Sequence, residues 1–405
     1  VPFLHREPLP APPAYGVSTV AEVMTSSAAV LGVDGFTNAL GLPAARRIAV
    51  VMVDGLGMTL LRRYAAHAPY LRESLPSARI LSSAFPSTTA ASLASLGTGL
   101  APGQHGLVGY DVLDPAQDAV VNMLGRWDAA VDPLAWQPHP TVFERVSVHL
   151  PVVTVSHPRF EDSPMTRAAL RGGAFAGAGI IHAQIDAAAE QLAAAPSMLM
   201  YFYVNDLDKA GHRWGVDSPQ WLRALEDLDA ALKLLARRVP SDTLLLLTAD
   251  HGMVDIAAPQ RIDYSAHPDL LEGVAHTGGE PRMLHLYLAP ELSAGERDAL
   301  ALRWHEAFGS RAWVLTRDEA VAGGYFGPVR DDVLPRIGDL LVLAREGIAL
   351  IDGRRVQPTA FEMVGQHGSL TRAERDVPLI TLARPAATGC PAGSRSRSSR
   401  GARRG

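Results

Sequence analysis

The chain has a single cysteine, Cys390, in 405 residues, and it lies near the end in a Gly/Ser/Arg-rich stretch. One thiol excludes a disulfide framework and any thiolate metal site. No apolar run approaches the ~20 residues that a membrane-spanning helix needs. The first residues, VPFLHREPLPAPPAYG, are proline-rich and lack the apolar centre of a secretory signal. These absences lead to the expectation of a cytoplasmic protein with no membrane span. Strong charge of either sign is missing as well. A net charge of −5 offers no polycationic surface, so no nucleic-acid binding is expected of the core. Arginine collects at the very end: six from Arg384 onward with no acid, leaving about −11 for the remainder. Residues 385–405 read as a disordered basic tail. Internal repeats are absent too, which excludes a solenoid or propeller.

What is present suits a large buried core, with 47% hydrophobic and 20% charged residues. Four runs stand out: IAVVMV before Asp54-Gly55, PVVTVS over 151–156, SMLMYFYV before Asn205-Asp206, and TLLLLT before Ala249-Asp250-His251-Gly252. Apolar on both faces, such runs suit central strands of a parallel sheet. Helical patterns fall between them over 58–66, 179–195 and 219–238. The last carries Leu222, Leu225, Leu228, Leu232 and Leu235 on one stripe. Strands alternating with helices predict an α/β fold with a mostly parallel sheet. From about 260 the rhythm shifts to short alternating strands, with a hairpin expected from 338–344 and 348–351. The expected division is an N-terminal extension (1–45), an α/β core (46–260 with 361–384), a smaller α+β cap insertion (261–360) and the tail. Residues 107–140 read as irregular.

The candidate chemistry sits at the ends of these runs. Asp54 and the Asp250-His251 pair each follow a buried strand, where sites assemble in open α/β sheets. Asp208 and His212 are four apart, which in a helix places both on one face, as metal ligands require. Asp206 competes with Asp208, but its spacing to His212 is wrong for one face. His367 lies between glycines in GQHG, while His105, in PGQHG, reads as a turn residue. A further candidate stretch is AFPSTTAASLASLGTGLAPGQH, residues 84–105. Proline, then hydroxyl residues, then an alanine-rich run mark a helix start. A threonine there meets unpaired backbone N–H groups and the positive end of the helix dipole, well placed to attack a phosphate.

The ordered set Asp54, Thr89, Asp208-x-x-Gly211-His212, Asp250-His251 and His367 resembles the alkaline phosphatase superfamily. Within it, the set is most similar to the nucleotide pyrophosphatase/phosphodiesterase family, over residues 46–383. The resemblance implies an alkaline-phosphatase-like three-layer α/β/α core and two zinc ions. One ion would be held by Asp208, His212 and His367, the other by Asp54, Asp250 and His251. Oxygen and imidazole ligands without sulfur suit zinc, with manganese as the alternative. The family's nucleophilic threonine follows a proline by three residues, which implies Thr89, with Thr88 as the alternative. The implied reaction is hydrolysis of a phosphate diester or pyrophosphate bond in a small phosphate ester or nucleotide, through a phospho-threonine intermediate. One position departs from the family: its oxyanion-stabilising asparagine should lie near 110, where Tyr110 stands, and Asn122 is the other candidate. A rival on the same scaffold is a phosphomonoesterase or phosphonate hydrolase, with Arg126 or Arg282 beside the phosphate. A rival of another class is a catalytically silent metal-binding or interaction protein.

Overall fold

The computed structural model describes residues 9–127 and 130–385. Cys390 and the basic tail beyond Pro385 lie outside the described residues. The strand runs expected from the sequence build one seven-stranded sheet. Its spatial order is Arg79–Ser82, Asp376–Ala383, Thr243–Thr248, Arg47–Val53, Met198–Val204, Val152–Ser156 and Ala174–Gly177. The last five of these run parallel, and Asp376–Ala383 is antiparallel to both of its neighbours. Every residue of Met198–Val204 and Thr243–Thr248 is buried, which explains why no polar alternation interrupts them.

Register then decides where the chemistry goes. Val53 pairs with Val204 and Met52 with Thr248. The three central strands therefore end level, and Asp54, Asn205 and Asp250 leave the sheet at one edge. Handedness sorts the helices. Crossovers running one way across the sheet place Ile181–Ala194 and Pro219–Arg238 on one face. The return from Arg47–Val53 to Val152–Ser156 runs the other way and places Thr89–Thr98 and Val142–Ser147 on the opposite face. The result is the three-layer α/β/α core. On Pro219–Arg238 the buried stripe uses Trp221 with Leu225, Leu228, Leu232 and Leu235; Leu222, expected on it, is only half-buried. Among the described residues no helix is long and apolar enough to cross a membrane.

A second sheet of six antiparallel strands has the order Ala312–Thr316, Leu340–Ala344, Met283–Leu288, Val274–Glu280, Asp111–Asp114 and Ala119–Asn122. Its far face packs on the helix Ala294–Phe308 through Leu300, Trp304 and Phe308. Two expectations fail here. Residues 111–122, read as irregular, form a hairpin that joins this sheet. The expected 338–351 hairpin does not form, because Ala349–Ile351 turns away to pair in parallel with Arg261–Asp263. Where the chain leaves the sheet, the buried Arg282 guanidinium takes the carbonyls of Ala344, Glu346 and Ile348, and Leu350 N–H donates to Pro281 O at 2.7 Å.

Two buried histidines tie the layers together and make a stability prediction. His285 donates through Nε2 to the Val108 carbonyl at 3.1 Å and accepts at Nδ1 from Gly338 N–H at 2.9 Å. His105 accepts at Nδ1 from Leu107 N–H at 3.1 Å, with Nε2 3.0 Å from Ser95 Oγ. Each ring is bonded as the neutral tautomer, and burial holds each pKa down to about 3, against an ordinary 6.5. The unfolded chain therefore takes up these protons first. Stability contributed by the rings is complete above pH 6.5 and falls as pH drops below it, by about 1.4 kcal/mol per pH unit for each ring. Urea melts between pH 7 and 5 should show a shallower pH dependence for His285→Gln than for the parent chain; identical slopes would refute it.

Candidate active site

The helix Thr89–Thr98 begins where the sequence places it, and all ten of its residues are buried. Thr88 is its N-cap: its side-chain oxygen accepts from Ala91 N–H at 3.2 Å, which occupies it structurally. Thr89 is the first helical residue, and its Oγ1 lies 3.0 Å from Nε2 of His251. Small residues let this helix sit close to its neighbours. A Cβ on Gly97 would come within 2.0 Å of the Ala169 carbonyl.

Around Thr89 the strand ends deliver their side chains. Asp54 Oδ1 is 3.3 Å and Asp250 Oδ2 3.5 Å from the same His251 Nε2. Asp208 Oδ1 lies 3.3 Å from His212 Nε2 on the helix Asp206–Trp214. The His367 ring stacks on His251 at 3.5 Å between centroids and stands 5.2 Å from His212. All six residues proposed from the sequence as ligands are thus brought together with Thr89.

Hydrogen bonds anchor one atom of each histidine and of Asp54 and Asp250, and turn the other toward the site. His212 Nδ1 is 2.8 Å from Gly365 O, His251 Nδ1 2.9 Å from Gly252 O, and His367 Nδ1 3.0 Å from Ser87 O. A backbone carbonyl on Nδ1 fixes the tautomer and presents Nε2, the arrangement metal-binding histidines adopt. Asp54 Oδ2 accepts from the Tyr203 hydroxyl, and Asp250 Oδ1 accepts from Gly55 and His251 N–H. The remaining oxygens, Asp54 Oδ1, Asp208 Oδ1 and Asp250 Oδ2, are buried without a hydrogen bond. Buried carboxylate oxygens without a hydrogen bond, gathered beside imidazole nitrogens, leave an electrostatic deficit that cations would offset.

Burial, reinforced by Asp54, pushes the Asp250 carboxyl well above its ordinary range. Burial opposes ionisation of Asp208, but the facing His212 imidazole outweighs it and holds this carboxyl low. Burial would lower His251; the carboxylates of Asp250 and Asp54 overcome it and raise its pKa to about 10. His367 is held low by burial and by the neighbouring imidazoles. Two compact donor groups result, Asp208 with His212 and His367, and Asp54 with Asp208 and His251. Asp208 belongs to both. In the second group it stands where the expected set had Asp250.

The site opens into a cavity of about 1030 Å³. Its lining includes the apolar and aromatic residues Leu93, Phe160, Met165, Leu170, Phe175 and Tyr203, with Arg159, Glu161 and Asp162 beside Phe160. One wall comes from the second sheet and its hairpin, with Tyr110, Arg126, Glu280 and Arg355. Tyr110 is 37% exposed on that wall. Asn122 does not line the cavity: its amide donates to Asp111 Oδ1 at 2.8 Å and accepts from Leu124 N–H at 3.1 Å. Arg282, one of two arginines proposed beside the phosphate, is corrected by the structure. It is 1% exposed, lies off the cavity and pairs with Glu374. The sequence reading missed Tyr203 and Glu280. Tyr203 lies two residues before Asn205 on a strand whose inward face was legible; nothing local marks Glu280.

Residues 48–370 match the family of type I phosphodiesterases and nucleotide pyrophosphatases. The chain belongs to that family. It is therefore a hydrolase of the nucleotide pyrophosphatase/phosphodiesterase type, with the alkaline-phosphatase-like fold. Among solved structures it is similar to human ectonucleotide pyrophosphatase/phosphodiesterase 5, at 18% identity and a TM-score of 0.65, over 84% of this chain and 88% of that one. An inactive threonine-to-alanine variant of the murine protein, in complex with AMP, matches at 17% identity and 0.66, with the same coverage. Phosphonoacetate hydrolase from Sinorhizobium meliloti 1021, in complex with phosphonoformate, matches at 20% identity and 0.64, over 87% of this chain and 93% of that one.

Proposed function

We propose that this family member hydrolyses phosphate diester or pyrophosphate bonds with two bound zinc ions and Thr89 as the nucleophile. The observation that carries the reading is the Thr89 hydroxyl at a helix start, 3.0 Å from His251 Nε2 and facing both donor groups. Asp208, His212 and His367 would hold one ion, and Asp54 and His251, with Asp250, the other; manganese is the alternative. Bound there, such ions supply Lewis-acid stabilisation of an attacking and a leaving oxygen. The protein's own residues supply position. Thr89 Oγ1 attacks phosphorus in line and the bond to the leaving oxygen breaks, giving phospho-threonine; water then displaces Thr89, for a net addition of one water across the ester. The positive end of the Thr89 helix would favour the phosphoryl oxygens, although its Ala91 N–H is taken by the Thr88 side chain. The inactive threonine-to-alanine variant of the murine neighbour supports a threonine in this role.

The apolar and aromatic residues of the lining fit a substrate with an aromatic or aliphatic portion, and AMP in the murine neighbour is in keeping with a nucleotide. A second reading, phosphonate or monoester hydrolysis, draws on the phosphonoacetate hydrolase likeness and on Arg126. Its guanidinium lines the cavity and makes no ion pair or hydrogen bond among the described residues. A panel of diesters, dinucleoside pyrophosphates, monoesters and phosphonates on the zinc-loaded protein separates the two. The expected order puts diester or pyrophosphate first, with Arg126→Met changing its kcat/KM by less than about threefold, under ~1 kcal/mol. A dominant monoester or phosphonate activity that falls more than about tenfold in Arg126→Met, a loss of ~1.4 kcal/mol, would replace the first reading with the second.

For the oxyanion, Tyr110 is the remaining candidate because Asn122 is committed to its turn. Tyr110→Phe should lower kcat by about 10²-fold if its hydroxyl donates to the phosphoryl group. A change below about threefold would remove it from that role.

A further inference from the structure

Arg282 was a candidate to touch substrate, and its actual place suggests another function. The residue leads into strand Met283–Leu288 of the second sheet, yet its side chain reaches into the core. Nε donates to Glu374 Oε1 at 3.0 Å and Nη2 to Oε2 at 2.8 Å, a two-pronged ion pair with neither residue more than 1% exposed. The other donors go to the carbonyls of Ala344, Glu346 and Ile348, so every guanidinium N–H has a partner. A buried pair is weak evidence of stability, since an apolar pair often does as well. What Glu374 touches next is more telling.

Its Oε1 also accepts from Ser369 N–H at 3.1 Å, and its Oε2 from the Thr371 hydroxyl. Ser369 is two residues from His367. The Ser369 carbonyl accepts from the Ser87 hydroxyl at 2.7 Å, and Ser87 supplies the carbonyl that anchors His367 Nδ1. Ser87 N–H closes the loop by donating to Gly368 O at 3.0 Å. On its main chain, Glu374 O accepts from Gly252 N–H at 2.7 Å, and the Gly252 carbonyl anchors His251 Nδ1. The two backbones touch: a Cβ on Gly252 would lie 2.0 Å from the Ala373 carbonyl. Glu374 thus connects through its carboxylate to the His367 loop and the Ser87 turn that leads into Thr89, and through its main-chain carbonyl to the His251 turn, and it is held by an arginine from the other sheet.

We propose that Arg282 and Glu374 are positioning residues: a clasp between the two sheets that sets the relative placement of Thr89, His251 and His367. The inference rests on the reading of those three as nucleophile and ligands. Loosening the clasp lets the loops move apart while the cavity wall that receives substrate stays in place. Kinetic damage should fall on kcat, and zinc should bind more weakly, as when groups that orient metal ligands are removed.

Glu374→Gln tests this, being isosteric and still able to accept from Ser369. In the metal-free protein, amide hydrogen exchange at 86–89, 251–253 and 367–370 should quicken about tenfold, with strand Met283–Leu288 unaffected. In chelator competition, zinc affinity should fall by about 10- to 100-fold. KM on the best diester should stay within about threefold while kcat drops at least tenfold. Arg282→Lys, which keeps the charge but not the fork, should move every readout the same way by less, and it serves if Glu374→Gln does not fold. Unchanged exchange in all three segments, with zinc affinity and kcat within about twofold of the parent, would overturn the clasp even if the variant melts lower. Should the parent chain bind no zinc, the metal reading fails, and hydrogen exchange still decides the clasp.

Discussion

Thr89→Ala should lower kcat by about 10³-fold or more while leaving zinc content and fold intact, the scale of loss when a nucleophile is removed. The argument rests on what the side chain does not do. Its Oγ1 has one contact of note, His251 Nε2 at 3.0 Å, and it holds no backbone group. Alanine is at home in the first helical turn, and Thr88 remains the cap. Thr88→Ala is the contrasting case: it loses the bond to Ala91 N–H, should cost about 1 kcal/mol of stability, and should leave turnover nearly unchanged. Thr89→Ser should keep partial activity because it keeps a hydroxyl. Steady-state kinetics with elemental analysis, and mass spectrometry of the trapped phosphopeptide, provide the check. Phosphate on Thr88, or a fully active Thr89→Ala, would remove Thr89 from the mechanism.

The second large effect is expected at Asp208. Family pattern assigns this residue to one ion, but in the structure it stands in both donor groups, with Oδ1 buried and unbonded. Asp208→Ala should therefore lose most of both ions. His212→Ala, whose ring is in one group only, should lose one. Activity of Asp208→Ala should fall by at least the 10²–10³ that removal of one charge-stabilising donor costs. Far-UV circular dichroism should not change, since Asp208 points into the site beside His212 and its Oδ1 holds no backbone group. Zinc counted per chain by elemental analysis decides it. Retention of one full ion in Asp208→Ala, with the other lost, would return Asp208 to a single site.

These sites were legible at different levels of the sequence. Asp54, Asp250 and His251 could be found because each ends a run apolar on both faces, and such runs become central parallel strands whatever lies elsewhere. Asp208 and His212 could be paired because helical spacing is local. The start of the Thr89 helix was written in proline, hydroxyls and alanines; the choice of Thr89 over Thr88 came from resemblance, and the cap geometry is consistent with it.

Longer-range facts were not legible. Val274–Glu280 (VAHTGGE) has two glycines and little β-propensity, and it becomes a strand because partners on both sides complete its hydrogen bonds. The 111–122 hairpin carried a readable turn, in which Asp114 Oδ1 accepts from Ala116 N–H at 3.0 Å, but its membership in a sheet built some 160 residues later was not readable. Arg282 illustrates the same limit. A lone arginine beside a predicted strand looks like a phosphate ligand or a surface charge, and only the meeting of two sheets makes it the partner of Glu374. The sequence by itself determined the α/β core and the positions of Asp54, Asp250 and His251 just past buried strands, because strand and helix periodicity act over neighbouring residues. The tertiary structure decided that Asp208 stands within reach of both His212 with His367 and Asp54 with His251, that Asn122 is spent on a turn and that Arg282 serves the core. Those depend on distances between segments far apart in the chain, which no local pattern encodes.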